Sequence, residues 1–211
     1  MSLQALSLSP SSPTDRLLIM LHGWGANAQD VAGLMPYLDL SNYQILLPNG
    51  PYPHPMAPGG RMWYAFPTNY DFHAVYNFEQ QADLQNSRQL LTQWLQSLPA
   101  TTGIPLEKTV LAGFSQGGAM TLDVGLTLPL AGMIVLSGYC HAPLQQPLSQ
   151  RPVLVIHGRQ DAVVSIDKAH ETKQNLIACG ITPSYHEFEM GHEVSPEALA
   201  VVGKFGQMLA I

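Results

Sequence analysis

Thr109–Leu122, with the sequence TVLAGFSQGGAMTL, is the stretch that decides the fold of this chain. It begins as an apolar run of the kind that a buried strand needs and continues into residues typical of a helix start. Ser115 falls at the turn between them, with Gly113 and Gly117 two residues to either side. Glycines at these positions let the strand and the helix pass closely, since a Cβ would collide there. The pattern predicts a nucleophile elbow, a strained turn that presents a serine hydroxyl above the edge of a sheet.

Around this stretch, apolar strand-like runs alternate with helical patterns along the chain. Several of the runs are almost continuously hydrophobic, which is typical of a parallel sheet covered on both faces. With 211 residues and no convincing linker, we expect a single α/β domain over residues 1–211. The predicted strands are Arg16–Leu21, Tyr43–Leu47, Lys108–Gly113, Gly132–Ser137, Val153–His157 and Ser184–Phe188.

Three long helices are predicted between and after these strands. Apolar residues recur at helical spacing over residues 84–98, and Pro99 is predicted to end that helix. A second helix is predicted over Ser165–Cys179. The last begins at Ser195, which is followed by a proline and an acidic residue, as at many helix N-termini.

The segment from Pro48 to Phe72 combines prolines, glycines and aromatic residues without a period. Loops longer than ~12–15 residues inside a compact domain are uncommon, and they are usually functional or disordered. Because this segment carries Trp63, Tyr64 and Phe66, we expect it to be ordered. Two interpretations stay open, a wall of a substrate site and a structural plug over the sheet.

Composition and charge restrict the partners. The net charge is −6, and the nine lysines and arginines are scattered rather than clustered, which argues against nucleic acid or an anionic membrane as the main partner. The first 13 residues lack the pattern of a signal peptide, and no apolar run reaches the ~18–20 residues of a membrane span. We therefore expect a soluble cytoplasmic protein without stable membrane insertion.

Two later residues form a catalytic constellation with Ser115. A serine hydroxyl is a poor nucleophile until a base takes its proton, and an acid must hold that base in one tautomer. Asp161 follows a buried strand, at the end where α/β sites form, and His192 lies in a loop beside a glycine. The order serine, acid, histidine is that of α/β-hydrolases. Asp167 at a helix start and Glu189 near a strand end are the rival acids.

A serine nucleophile of this kind also needs two backbone amides to hold the oxyanion. One is expected at Gln116, at the start of the helix, and the other in the loop Leu21–Gly25 after the first long strand. Gly23 lets that loop approach a substrate closely. We interpret His22 in this loop as a buried hydrogen-bonding support rather than as a second base.

Other chemistries find little support in the sequence. There is no complete dinucleotide fingerprint and no glycine loop that ends in Lys-Ser or Lys-Thr. His186 and His192 lie near glutamates, but they do not form a His-Glu-x-x-His helix. We expect neither a metal nor a cofactor.

Four segments resemble the phospholipase/carboxylesterase family of α/β-hydrolases, to which acyl-protein thioesterases and small bacterial carboxylesterases belong. They are LHGWGAN at 21–27, GFSQGGAM at 113–120, HGRQDAVV at 157–164 and GH at 191–192. Together they make the resemblance extend over nearly the whole chain. It implies the α/β-hydrolase fold, a mostly parallel central sheet with helices on both faces and no large lid domain.

The same resemblance implies roles for individual residues. Ser115, Asp161 and His192 would be the catalytic triad, and the backbone amides of Trp24 and Gln116 would hold the oxyanion. Small-molecule carboxylic esters would be hydrolysed without metal or cofactor, and because dimers are frequent in the family, a homodimer is allowed. An acyl-protein thioesterase or a lysophospholipase is the alternative, and a non-catalytic ligand-binding relative is the alternative of another class, against which the intact triad argues.

Two positions depart from the usual pattern of the family. Trp24 stands where leucine is common, and Trp63-Tyr64-Ala65 replaces a common Trp-Tyr-Asp. We interpret Trp24, Trp63 and Tyr64 as substrate-binding residues of an acyl pocket. A bulky indole would narrow that pocket, so we expect short to medium acyl chains to be preferred.

Overall fold

In the computed structural model, residues 3–10, 13–67 and 78–209 are described. The strands are β1 (Ala5–Leu8), β2 (Leu17–Leu21), β3 (Gln44–Pro48), β4 (Tyr52–Pro53), β5 (Arg61–Met62), β6 (Thr109–Phe114), β7 (Gly132–Leu136), β8 (Val153–Gly158) and β9 (Ser184–Phe188). The α-helices are α1 (Ala28–Ala32), α2 (Ala82–Thr102), α3 (Gln116–Gly125), α4 (Ile166–Ala178) and α5 (Pro196–Leu209). Two short 3₁₀ helices lie at Met35–Tyr37 and Leu106–Lys108.

Seven strands form one sheet in the order β1-β3-β2-β6-β7-β8-β9. All neighbouring strands run parallel except β1, which lies antiparallel to β3 at one edge. The six predicted strands are confirmed, with each bound within one residue of its prediction. The edge strand β1 was not predicted, because its four residues alternate between exposed and half-buried positions instead of forming a continuous apolar run.

The core has one layer on each face of the sheet. On one face, side chains of α2, α3 and α4 pack against alternate residues of the central strands, and these include Leu91, Met120 and Leu176. On the other face, Val31 of α1 and Phe205 of α5 pack against the remaining strand residues. Helices therefore cover both faces of a mostly parallel sheet, which confirms the predicted α/β-hydrolase fold.

The prediction that Pro99 ends its helix is wrong. Helix α2 continues through Pro99 to Thr102 and ends at Gly103, which has φ +73°. A proline in the last turn removes one backbone hydrogen bond, but Leu95 and Leu98, which precede the proline, are buried in the core. Packing of the apolar face therefore outweighs the local preference.

Strands β4 and β5 form a small antiparallel pair inside the predicted loop Pro48–Phe72. Residues 68–72 of that loop lie outside the described residues. Among the helices of the described ranges, none combines the length and the apolar character that a membrane crossing needs.

Candidate active site

Ser115 occupies a sharp turn between β6 and α3, and its backbone is strained, with φ 54° and ψ −116°. A Cβ on Gly113 would lie 2.2 Å from the carbonyl oxygen of Gly117, and a Cβ on Gly117 would lie 2.4 Å from that of Leu21. No side chain fits at either position, so both must be glycine for the strand and the helix to pass. The predicted strand–turn–helix geometry around Ser115 is therefore confirmed, and the role of Ser115 as a nucleophile stays a prediction.

A chain of two hydrogen bonds joins the three residues that the sequence singled out. The Nε2 atom of His192 lies 3.0 Å from the Oγ atom of Ser115, and its Nδ1 atom lies 2.7 Å from Oδ2 of Asp161. The carboxylate of Asp161 can only accept a hydrogen bond, so Nδ1 of the neutral His192 imidazole carries the proton and donates it in this bond. Nε2 is then free to accept the hydroxyl proton of Ser115.

The Asp161 carboxylate is held in place on both oxygens. Its Oδ1 atom accepts hydrogen bonds from the amides of Val163, at 2.9 Å, and Val164, at 2.8 Å. Burial alone would raise the pKa of Asp161, but the hydrogen bonds from His192 and from these amides lower it below its ordinary value. Asp161 therefore stays ionised beside the imidazole.

The rival acids lie elsewhere. Glu189 pairs with Arg159 at 2.7 Å and with the side chain of Gln160 at 3.2 Å. Asp167 lies on the exposed first turn of α4. Within the described residues, the carboxylate hydrogen-bonded to His192 is Asp161.

His157 at the end of β8 is a supporting residue that the sequence reasoning missed. Its side chain is fully buried, and its Nε2 atom lies 2.8 Å from the carbonyl oxygen of Val164 and 3.5 Å from Oδ2 of Asp161. Burial lowers its pKa, so the ring is neutral and donates from Nε2. It fixes the turn that presents Asp161. The motif HGRQD contained this signal, because its histidine and aspartate are four residues apart.

The loop after β2 lies directly against Ser115. A Cβ on Gly23 would lie 3.4 Å from the Cβ of Ser115. His22 is fully buried, and its Nε2 atom accepts from the amide of Gly50 at 2.9 Å, while Nδ1 lies 2.7 Å from the carbonyl of Gly23. Desolvation lowers the pKa of His22 to about 4. The ring is therefore neutral and supports the loop, as predicted.

The two residues expected to supply oxyanion amides flank this contact. Gln116 is the first residue of α3, where N–H groups have no acceptor within the helix. Trp24 follows Gly23 in the loop that contacts Ser115. Its indole is 43% exposed and packs edge-on against His54, at 4.1 Å between ring centroids, and Phe66, at 5.4 Å.

The interpretation of Trp63 and Tyr64 as residues that line a substrate pocket needs correction. Both side chains are fully buried in the core layer beneath α2 and α3. The indole N–H of Trp63 donates to the carbonyl of His22 at 3.0 Å, and the hydroxyl of Tyr64 lies 2.8 Å from that of Tyr139. Trp63 and Tyr64 therefore fit the second interpretation of this loop, that of a structural plug over the sheet.

The side chain of Gln116 holds that plug in place. Its Oε1 atom accepts from the amide of Trp63 at 2.9 Å, and its Nε2 atom donates to the carbonyl of Tyr64 at 2.8 Å. One residue thus has its amide at the helix start beside Ser115 and its side chain bound to the aromatic segment.

No cluster of three or more His, Cys, Asp or Glu side chains suited to a metal ion occurs in the described part of the chain. His186 lies on the edge strand, where its Nε2 atom is 3.1 Å from the hydroxyl of Ser184.

Known proteins of one family resemble this chain over most of its length. A model of the phospholipase/carboxylesterase family matches residues 5–210. Acyl-protein thioesterase 1 of Saccharomyces cerevisiae is 28% identical over 92% of each chain. That of Neurospora crassa is 30% identical over 87% of this chain and 80% of the relative. The crystal structure of esterase PE8 superposes with a TM-score of 0.89 at 29% identity, covering 99% of this chain and 100% of the other.

Proposed function

Since the chain belongs to the phospholipase/carboxylesterase family, we propose that it is a single-domain serine carboxylesterase that hydrolyses small-molecule carboxylic esters through an acyl-enzyme. The observation that carries this proposal is the hydrogen-bonded chain from Ser115 through His192 to Asp161, built on a strained elbow. A polar chain of this kind at the carboxyl end of a parallel sheet activates a nucleophile and needs no further group to do so.

The first half of the reaction forms the acyl-enzyme. His192 Nε2 takes the hydroxyl proton while Ser115 Oγ bonds to the ester carbonyl carbon, and the carbonyl electron pair moves to oxygen. The amides of Trp24 and Gln116 donate to that oxyanion. When the electron pair returns, the bond to the alcohol oxygen breaks, and His192 gives its proton to the leaving alcohol.

The second half releases the acid. His192, now neutral, takes a proton from water, whose oxygen bonds to the acyl carbon. The bond to Ser115 then breaks, and Ser115 regains its proton from the imidazolium. Asp161 keeps Nδ1 protonated and stabilises the imidazolium in both halves, and its own position is fixed by the Val163 and Val164 amides.

Trp24 and Phe66 are the side chains that we propose as the acyl-binding wall. Their rings pack together above the plug, and both keep solvent-exposed surface. An acyl chain that extends from the oxyanion loop would pass along this surface. The indole restricts its length, which favours short to medium acyl groups.

Acyl-protein thioesterase activity is the second candidate, because the curated relatives at 28–30% identity carry that name. The catalytic parts would be identical. Matched oxoesters and thioesters of the same acid separate the two activities, since only the leaving atom differs.

A fluorophosphonate probe tests the proposed nucleophile, because it bonds covalently only to an activated serine. We expect intact-protein mass spectrometry to show one added label in the wild type and none in Ser115→Ala. Ser137→Ala is the matched control. Ser137 also has positive φ, 46°, and is also buried at the end of a neighbouring strand, yet it is not bound to His192. An unlabelled wild type, or equal labelling of Ser115→Ala, would exclude the proposal and favour a non-catalytic ligand-binding relative.

A further inference from the structure

An open apolar cavity adjoins the catalytic histidine on the side of the sheet covered by α1 and α5. The cavity has a volume of about 240 Å³. At its inner end lie His192, Gly23 and Phe114, and the ring of Phe114 packs against the imidazole at 4.9 Å between centroids. Leu34 and Val194 form its outer walls. The space therefore begins at the imidazole itself.

A second cavity, of about 320 Å³, continues the first toward the surface. The two share Leu34 and Val194, and the second adds Tyr37, Pro196 and Leu199. Tyr37 is 73% exposed. We call this continuous apolar surface the His192 groove. Its size is of the order of small-molecule sites, roughly 300–1,000 Å³.

The groove is built on rigid elements. Leu34, Phe114 and Val194 pack against the core layer that contains Met20 and Val31, on the α1 and α5 face. Helix α1 before it is closed by a capping box, in which the Asn27 side chain accepts from two amides of the first turn. A surface held in this way exists before any ligand binds.

The reaction decides which part of an ester occupies this groove. The proton that reaches the leaving oxygen comes from His192 Nε2, so the leaving oxygen must come within hydrogen-bond distance of the imidazole, roughly 2.6–3.2 Å. The atoms attached to that oxygen then continue along whatever surface adjoins His192. Trp24 and Phe66, by contrast, adjoin the oxyanion loop and the plug on the α2 and α3 side.

We propose that the His192 groove binds the leaving alcohol or thiol, and that the preferred substrates carry an alkyl or aryl leaving group of several carbons. This rests on the proposed function and specifies its substrate class. Asp30 and Glu193 are the charged residues at the groove, and none of the lysines and arginines in the described ranges lines either cavity. A neutral leaving group is therefore favoured over one that carries a phosphate.

Two series of esters test the assignment. In one, acetate is esterified with methanol, butanol, hexanol or octanol; in the other, ethanol esterifies acids of the same lengths. The measured quantity is kcat/KM, because it contains only the steps up to the acyl-enzyme and therefore the leaving group. For the wild type we expect kcat/KM to rise with alcohol length.

Leu34→Ser should lower kcat/KM for hexyl acetate by about tenfold, as expected when one or two methylenes lose an apolar contact. Methyl acetate should change by less than about twofold, and its turnover also shows that the variant is folded. Val194→Thr keeps the side-chain volume, introduces a hydroxyl and should act in the same direction. Ile177→Ser is the matched control, an exposed apolar residue on α4 that lies away from both cavities.

The inference is overturned if Leu34→Ser and Val194→Thr change the acyl series instead of the alcohol series, since the groove would then hold the acyl chain. It is also overturned if neither series responds. In both cases the wild type still hydrolyses methyl acetate and still reacts with the fluorophosphonate. Failure of the proposed function is different, because the wild type itself would then lack turnover and labelling.

Discussion

The two sides of the proposed catalytic centre differ in how their side chains pack. On the α2 and α3 side, Trp63 and Tyr64 fill the space beside the elbow, and the side chain of Gln116 satisfies their backbone groups. On the α1 and α5 side, Leu34 and Val194 leave open an apolar groove that reaches His192. The same row of strand ends thus has one filled side and one open side.

This difference has a physical origin. A loop that is buried must find partners for its backbone N–H and C=O groups, which restricts it to one arrangement. Apolar walls on the surface of a core layer carry no such requirement and tolerate different occupants. The filled side is therefore suited to holding the proposed oxyanion amides still, and the open side to accepting the variable leaving groups that we propose for it.

Replacement of Asp161, the acid that we propose for the triad, should have the largest effect. Asp161→Asn should lower kcat by about 10⁴, because the amide favours the wrong histidine tautomer. The loss should be the same for every ester in both series, since neither side of the site is altered. Hydrolysis of an activated ester by the purified variant measures it.

Glu189→Gln serves as the comparison for this variant, since Glu189 was the rival acid and is bound to Arg159 instead. Its activity should stay close to that of the wild type. If Glu189→Gln lost most of its activity and Asp161→Asn lost little, Glu189 would be the third member of the triad instead.

His22, which lies beside Trp63 on the filled side, should make the stability of the protein sensitive to acid. The folded-state pKa of His22 is about 4, below its unfolded value of ~6.5, so the unfolded chain binds more protons between these values. The contribution of His22 to the free energy of unfolding is thus complete above pH ~6.5. It falls toward pH 4, by up to about 3 kcal/mol. Burial lowers the pKa of His157 as well, with the same sign.

Urea unfolding between pH 7 and pH 4.5 measures this dependence. His22→Gln should lower stability at pH 7, because buried hydrogen bonds are lost, and should flatten the slope with pH. The wild type, unfolded at the same pH values, is the reference for this slope. An unaltered slope in His22→Gln would place the acid sensitivity in other groups.

The smallest effect is expected from Trp24→Leu, which tests whether the acyl chain and the leaving group bind on different surfaces. Trp24→Leu retains the backbone donor and removes the bulk of the indole beside Phe66. Turnover of short acyl esters should fall little, while that of long ones should improve by about tenfold. The alcohol series should not respond. Comparison of kcat/KM for butyrate and decanoate esters decides it, and an unchanged ratio would remove Trp24 from the acyl-binding wall.

The parts of the site that could be predicted are those whose position follows from chain order along the sheet. Ser115 and Asp161 lie just after β6 and β8, and His192 lies in the loop after β9, so their meeting at one edge follows from parallel strands. His22 could be interpreted in the same way, since it follows β2.

The remaining features depend on contacts between distant residues. Trp63 and Tyr64 are buried in a core layer formed by distant segments, and Gln116, about 50 residues away in sequence, binds their backbone. No local period in the sequence predicts these contacts. The groove is equally nonlocal, since Leu34 and Val194 each have the sequence context of an ordinary half-buried residue. Local patterns report on one element, whereas a cavity is a property of several elements together.

The double attachment of Gln116 bears on how activity appears during folding. Contacts between residues far apart in sequence carry a large loop-closure cost and slow folding. The bonds from Gln116 to Trp63 and Tyr64 span 53 and 52 residues. We therefore expect a refolding chain to recover its helices before its hydrolytic rate. The hydrolysis that we propose for Ser115 would then begin only after the segment with Trp63 and Tyr64 has docked, so that turnover would report a completely assembled molecule.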